Sequence, residues 1–308
     1  MTDIYIFSGF LGAGKTTLIQ KLLMKNFSAQ NTVLIENDFG TIDVDAELLK
    51  SSGFRIHAIN SGCICCTLVG DFVKSIEEVV EQYHPNTILV EPSGVGKLSA
   101  VEHACRNVQL AGKVRICGQI TVVDVKRCCS YLRNFSEFFK DQVKAADILF
   151  LSRSDAFPDK ISDTKQCLKK ENPNAQFFTS VDELLAYLLA NRLPKTKDTE
   201  SALNCEVHYK CCHHSEDESF QTITIQFQHP IDLTKLRSVF QWLERKQLKG
   251  LLRAKGVLNV GKDYFSLQYV PGEFLTEPTT AVGNYLCLIG RTLDRQAIAK
   301  AFHGEQIL

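Results

Sequence analysis

From the first residues to about position 190, short apolar runs alternate with stretches whose apolar residues recur every three or four positions. Ile4-Tyr5-Ile6-Phe7 predicts a buried strand, and the spacing of Leu18, Leu22 and Leu23 predicts a helix over 16–24. Further strands are expected over 32–36, 54–59, 87–91, 115–124, 148–152 and 176–179. The clearest helix covers 68–83, where Leu68, Phe72, Val73, Ile76, Val79, Val80 and Tyr83 form one stripe. Lys74, Glu77, Glu78 and Glu81 are left for solvent. Strands alternating with helices in this way predict an α/β fold, a mostly parallel sheet with helices on both faces.

The periodicity stops at 191–219, a polar and charged stretch that reads as a linker. Beyond it, Ile223, Ile225 and Phe227 alternate as in a strand, 233–248 carries a helical stripe, and 256–270 is again strand-like. The expected layout is therefore a domain over 1–190, a linker over 191–219 and a small α+β C-terminal domain over 220–308. No internal repeat is visible.

With 308 residues and 44% apolar content, the chain can bury a full α/β core. Lys plus Arg equals Asp plus Glu at 35 each, which argues against nucleic acid or an anionic membrane as the main partner. No apolar run approaches the ~18 residues of a membrane span. The N-terminus enters its first strand without a basic or apolar leader, so a cytoplasmic location is expected. Twelve cysteines in that setting stay mostly reduced, and clusters among them point to metal or reactive thiols before disulfides.

Between the first strand and first helix, residues 8–17 read Ser-Gly-Phe-Leu-Gly-Ala-Gly-Lys-Thr-Thr, a complete phosphate-binding loop. Gly9, Gly12 and Gly14 permit the backbone angles that let N–H groups of the loop, through Ala13 to Thr17, wrap a polyphosphate at a helix N-terminus. Lys15 is expected to reach the β- and γ-phosphates, and the Thr16 hydroxyl to ligate Mg²⁺. Glu91, at the end of the fourth expected strand, is a second Mg²⁺ ligand, direct or through water. Gly94 offers an N–H to the γ-phosphate.

A second dense motif, Gly62-Cys63-Ile64-Cys65-Cys66-Thr67, lies between a strand and the 68–83 helix. Cys63, Cys65 and Cys66 can converge on one soft ion, Zn²⁺ foremost, at the sheet edge that also carries the phosphate loop. Glu36 and Asp38, in Glu36-Asn37-Asp38-Phe39-Gly40, are carboxylates that can face either Mg²⁺ or the thiols.

These segments together resemble the CobW-like metal-handling P-loop GTPases, relatives of the hydrogenase and urease nickel-insertion GTPases. The resemblance extends over 121–124 and 152–155 and over a C-terminal module carrying Gly250-Leu251-Leu252-Arg253-Ala254-Lys255-Gly256 and Ile289-Gly290-Arg291. It implies GTP hydrolysis coupled to binding or transfer of Zn²⁺, Co²⁺ or Ni²⁺, with the Cys-x-Cys-Cys motif as metal site. The family commonly reads guanine with Asn-Lys-x-Asp, where this chain has Ser152, Arg153, Ser154 and Asp155. Asp155 can still accept from the guanine N1 and N2 hydrogens, and the Arg153 side chain can cover the ring. The family also commonly places Glu after Phe-Gly, where this chain has Thr41 with Asp43 and Asp45 nearby.

The linker carries Cys205, His208, Cys211, Cys212, His213 and His214, a secondary metal-capturing tract like the histidine-rich stretches of relatives. Cys105, Cys117, Cys167 and Cys287 read as isolated core residues, and Cys128-Cys129 receives no role.

The expected cycle has GTP-Mg²⁺ ordering 36–45 and 92–97, changing the geometry around the three cysteines, and hydrolysis releasing the metal to a client metalloprotein. The C-terminal module is the expected surface for that client or for homodimerisation. Two other readings stand beside this one: a P-loop kinase acting on a small molecule, and a zinc buffer or sensor with a structural nucleotide.

Overall fold

The computed structural model describes residues 1–25, 27, 31–36, 55–58, 68–106, 112–191, 220–245, 250–291, 293–302 and 306–307. The described residues fall into two compact units, one comprising those up to 191 and the other those from 220 onward.

In the first unit the elements run β1 (Thr2–Ser8), α1 (Lys15–Met24), β2 (Thr32–Glu36), β3 (Arg55–Ala58), α2 (Leu68–Tyr83), β4 (Thr87–Glu91), α3 (Leu98–Cys105) and β5 (Val114–Asp124). They continue with α4 (Cys128–Asn134), α5 (Ser136–Lys144), β6 (Ile148–Ser152), α6 (Ile161–Glu171), β7 (Gln176–Phe178) and α7 (Val181–Ala190). The strands form one sheet in the order β3-β2-β4-β1-β5-β6-β7. Every pairing in it is parallel.

A parallel sheet covered on both faces has no polar side, which is why its strands read as continuous apolar runs. Ile4, Ile6, Phe7, Val33, Ile35, Ile88, Leu89 and Val90 are all fully buried. On one face, α1 and α7 meet the sheet through Leu18, Ile19, Leu22, Leu184 and Leu188. Another aromatic group gathers around Phe10, which stacks on Phe135 at 4.8 Å and lies 4.7 Å from Tyr131. Phe10 belongs to the phosphate loop, so this packing holds the loop by an apolar anchor on α4 and the residue after it.

The second unit runs β8 (Phe220–Gln226), α8 (Leu233–Arg245), β9 (Leu251–Val260), β10 (Asp263–Val270), β11 (Glu273–Pro278), β12 (Tyr285–Arg291), α9 (Arg295–Ala301) and β13 (Gln306–Ile307). Its antiparallel sheet has the order β11-β10-β9-β12-β8-β13. Leu236, Phe240 and Leu243 of α8 and Ile298 of α9 pack with Ile223, Ala254, Leu267 and Leu288 in a single core. The strand-like run 256–270 is a hairpin rather than one strand: Val260 pairs with Asp263 across a two-residue turn, and Gly261 takes φ +80°. Among the described residues, no helix is long and apolar enough to cross a membrane.

Candidate nucleotide and metal site

All strands of the first sheet run the same way, so the loops that follow β1, β2, β3, β4 and β6 leave from one edge. The phosphate loop sits there, between β1 and α1. Gly9 has φ +143°, and a Cβ on it would meet the Val122 carbonyl oxygen of β5 at 2.4 Å. Gly12 and Gly14 have φ +71° and +95°. Gly14 is the N-cap of α1 and has no side chain to cap it, so the positive end of the helix faces the loop. Lys15 is buried, and its Nζ donates to the Gly9 carbonyl at 3.1 Å, folding back across the loop.

Thr16 Oγ1 donates to Glu91 Oε1 at 2.9 Å and Oε2 at 3.1 Å. Glu91 ends β4 and is buried, and in the sheet register its Cα partner is Glu36, the buried last residue of β2. Glu36 in turn pairs with Ala58 at the end of β3. Two carboxylates and one hydroxyl are therefore delivered by three neighbouring segments to the same edge. The chemistry of the donor set fits Mg²⁺: all are hard oxygens, and adjacent ligands of an octahedron with ~2.1 Å bonds stand about 3 Å apart, the spacing of Thr16 Oγ1 from Glu91.

Two contacts that local sequence reasoning missed hold this edge together. Ser152 Oγ donates to the Ala13 carbonyl at 2.7 Å, joining the end of β6 to the phosphate loop. Gln142, fully buried in α5, donates from Nε2 to the carbonyls of Gly94 at 3.2 Å and Gly96 at 2.8 Å. The 92–97 loop is also pressed on the phosphate loop, because a Cβ at Gly94 would meet Leu11 N at 2.8 Å. Each pair joins residues far apart in sequence, and no local pattern around Ser152 or Gln142 signals its partner.

Just past the end of β6, Arg153 takes φ +60°, rare for a side-chain-bearing residue. Its Nη1 lies 3.6 Å from Asp124 Oδ2, which also receives Arg127 Nη1 at 2.9 Å. Asp155 is exposed and Ser154 buried. Thr17 is exposed on the first turn of α1, and Ala13 is buried beneath the loop. Cys63, Cys65, Cys66 and Asp38 lie outside the described residues, as do His208, Cys211, Cys212, His213 and His214. The chain does leave β3 at the phosphate-loop edge and enters α2 at Leu68, so the segment carrying the three cysteines starts and ends at defined places.

Residues 3–179 match the CobW/HypB/UreG nucleotide-binding domain, more than half of the chain. The chain belongs to that family. Residues 220–305 match the C-terminal domain of cobalamin synthesis protein CobW. Among curated relatives, the zinc chaperone CobW of a Sinorhizobium species is 30% identical over 178 residues, 49% of this chain and 50% of that protein. The zinc chaperone YjiA of Escherichia coli is 23% identical over 263 residues, 83% of this chain and 81% of that protein. The zinc-regulated GTPase metalloprotein activator 1 of Schizosaccharomyces pombe is 27% identical over 178 residues, 55% of this chain and 43% of that protein. The chain spans about half the length of the first and third of these relatives.

The isolated thiols need one correction. Cys105 and Cys287 are buried core residues as expected, but Cys117 and Cys167 are half-buried. Cys167 is not isolated: it meets Cys129 of α4, because α4 and α6 run side by side and turn these two side chains toward one another at the surface.

Proposed function

We propose that this protein is a GTP-hydrolysing metallochaperone, which carries a transition metal, zinc foremost with cobalt and nickel next, and hands it to a client metalloprotein as GTP is hydrolysed. The observation that carries the reading is the junction of Thr16, Glu91 and Glu36 at the sheet edge where β3 also ends, at Ala58. Zinc stands first because the relatives named above are zinc chaperones and a zinc-regulated GTPase.

Lys15 exchanges the Gly9 carbonyl for the β- and γ-phosphates, and the N-terminus of α1 attracts the same anion. Thr16 and Glu91 hold Mg²⁺, which when bound neutralises charge on the phosphates. Gly94 presents its N–H to the γ-phosphate from a loop already seated on Leu11. Asp155 reads guanine with Arg153 beside it. Glu36 then links the two halves of the site: it ends β2 in register with Glu91, so a cation held at Glu91 bears on Glu36, where the 36–45 segment begins. The cargo metal is bound by Cys63, Cys65 and Cys66, with Glu36 and Asp38 completing its oxygen side. The 208–214 tract of the linker gathers metal more weakly, and the 220–308 domain receives the client.

The test is a Zn²⁺ and Co²⁺ titration against a competing chelator in nucleotide-free, GDP-bound and non-hydrolysable GTP-bound protein, with the Cys65→Ala/Cys66→Ala variant alongside. The expected result is an affinity that changes at least fivefold with nucleotide and collapses in the variant, the low end of ordinary allosteric coupling. Equal affinities in all three states would sink the coupling and leave a buffer that happens to contain a GTPase.

A further inference from the structure

Two thiols that the nucleotide chemistry does not use meet at the surface of the first unit. Cys129, the second residue of α4, is exposed, and Cys167, in the middle of α6, is half-buried. Their Sγ atoms are 3.5 Å apart although 38 positions separate them in the chain, and both are free thiols. Cys128 beside them is fully buried.

The position of the pair gives it leverage. α4 begins directly after the 125–127 turn, whose Arg127 is held by Asp124, and Asp124 also faces Arg153. α6 is fastened to the same turn, where Thr164 Oγ1 donates to the Val125 carbonyl at 3.4 Å. The two sulfurs therefore join the two helices that meet the 125–127 turn, next to Asp124, which faces Arg153. Among the described residues no group of three or more His, Cys, Asp and Glu side chains converges as a metal site. The chemistry left to two adjacent sulfurs is then that of a dithiol.

We propose that Cys129 and Cys167 form a reversible disulfide that locks α4 to α6 and stiffens the base-reading side of the nucleotide site. The sulfurs close by about 1.5 Å to reach bonding distance, within reach of side-chain rotation on adjoining helices. With a low-molecular-weight disulfide as oxidant, the exposed Cys129 thiolate attacks one of its sulfurs and expels the other as a thiol, leaving a mixed disulfide. Cys167 then attacks the Cys129 sulfur and expels the second thiol. Two protein thiols lose two electrons and two protons, and the small disulfide becomes two thiols. Burial, the hydrogen bond to Cys167 and the Asp163 carboxylate raise the Cys129 thiol above its ordinary value, with Arg133 opposing them, so exchange quickens toward alkaline pH.

The bridge itself does not depend on the proposed function; its effect on nucleotide does. Full-length protein is equilibrated at pH 8 with mixtures of oxidised and reduced glutathione, quenched with acid, alkylated and digested without reduction. Trypsin cuts after Arg127, Arg133, Lys165 and Lys169, leaving peptides 128–133 and 166–169. The expected product is these two joined, retained in Cys128→Ser and abolished in Cys129→Ser and Cys167→Ser. Oxidised wild type should melt about 5 °C higher than reduced, a rise absent from Cys129→Ser, and should release a fluorescent GDP analogue at least threefold more slowly.

Failure of the joined peptide to appear while other thiols of the chain are oxidised would overturn the proposal, as would its persistence in Cys129→Ser. A bridge that leaves GDP release unchanged would overturn the stiffening. Protein that fails to bind the GDP analogue in either redox state would instead count against the function proposed above, with the bridge still read from the peptides.

Discussion

Ser152 Oγ donates to the Ala13 carbonyl at 2.7 Å, so the end of β6, which leads into Arg153-Ser154-Asp155, is tied directly to the phosphate loop. This is the position where the family commonly carries asparagine. A serine is shorter, yet it spans the gap because β6 ends close to α1: Ser152 Cβ lies 4.0 Å from where a Cβ on Gly14 would sit. Ser152→Ala strands a loop carbonyl and is expected to cost about 1–3 kcal/mol. Faster release of a fluorescent GDP analogue, with far-ultraviolet circular dichroism unchanged, would be the signature; unchanged release would show the tie to be incidental.

Lys15→Ala removes the cation that the loop folds around. Nucleotide affinity and hydrolysis should fall at least a hundredfold, as expected for loss of a charge-assisted phosphate contact worth about 3 kcal/mol. Zinc binding by nucleotide-free protein should remain at the wild-type value. Calorimetry with GDP and zinc in separate titrations distinguishes the two, and a parallel loss of zinc binding would indicate a misfolded loop.

Glu91→Gln keeps the shape of the Thr16 partner but removes its charge. The Mg²⁺ concentration for half-maximal hydrolysis should rise at least tenfold, while GDP binding without Mg²⁺ should change little. If half-maximal Mg²⁺ stays put, Glu91 is a structural partner of Thr16 and not a ligand.

Gly94→Ala drives a methyl group into Leu11 at 2.8 Å, where both partners are backbone or tightly packed. The expected cost is about 1–3 kcal/mol, with a weaker response of metal affinity to GTP because the 92–97 loop is displaced from the phosphate loop. A thermal melt and the chelator titration together would read both effects, and a variant that behaves as wild type in both would show that this loop does not transmit.

Stability should decline at alkaline pH. Burial, then the neighbouring Asp3 carboxylate, pushes the Cys117 thiol from 9.0 up to about 11, and burial followed by Glu102 pushes Cys105 to about 12. Groups held protonated in the folded state contribute stability that is complete below their unfolded value, near 9. That contribution is lost as the pH climbs through the folded values. Melting temperature followed from pH 8 to 11 should fall, less steeply in Cys117→Ala; identical slopes would assign the decline to other groups.

The sheet was legible in the chain because a parallel strand buried on both faces leaves an uninterrupted apolar run, and the phosphate loop was legible because its chemistry needs glycines and a lysine at fixed spacing. Ser152 with Ala13, Gln142 with Gly94, and Cys129 with Cys167 were not, since each joins positions far apart in the chain and periodicity reports only on neighbours. The 256–270 run is strand-like on both sides of Gly261-Lys262, and the reversal between them shows in the pairing of Val260 with Asp263 and in the positive φ of Gly261.

Gly9 decides which parts of the site stand still. Its Cα lies so close to the Val122 carbonyl that no side chain fits between, and Phe10 is clasped by aromatic rings on the next step. The cradle is thus riveted to the middle of the sheet, and an incoming phosphate finds it already shaped. On the proposed function, what a third phosphate changes is expected at the periphery, beyond the end of β2 at Glu36 and in the loop around Gly94.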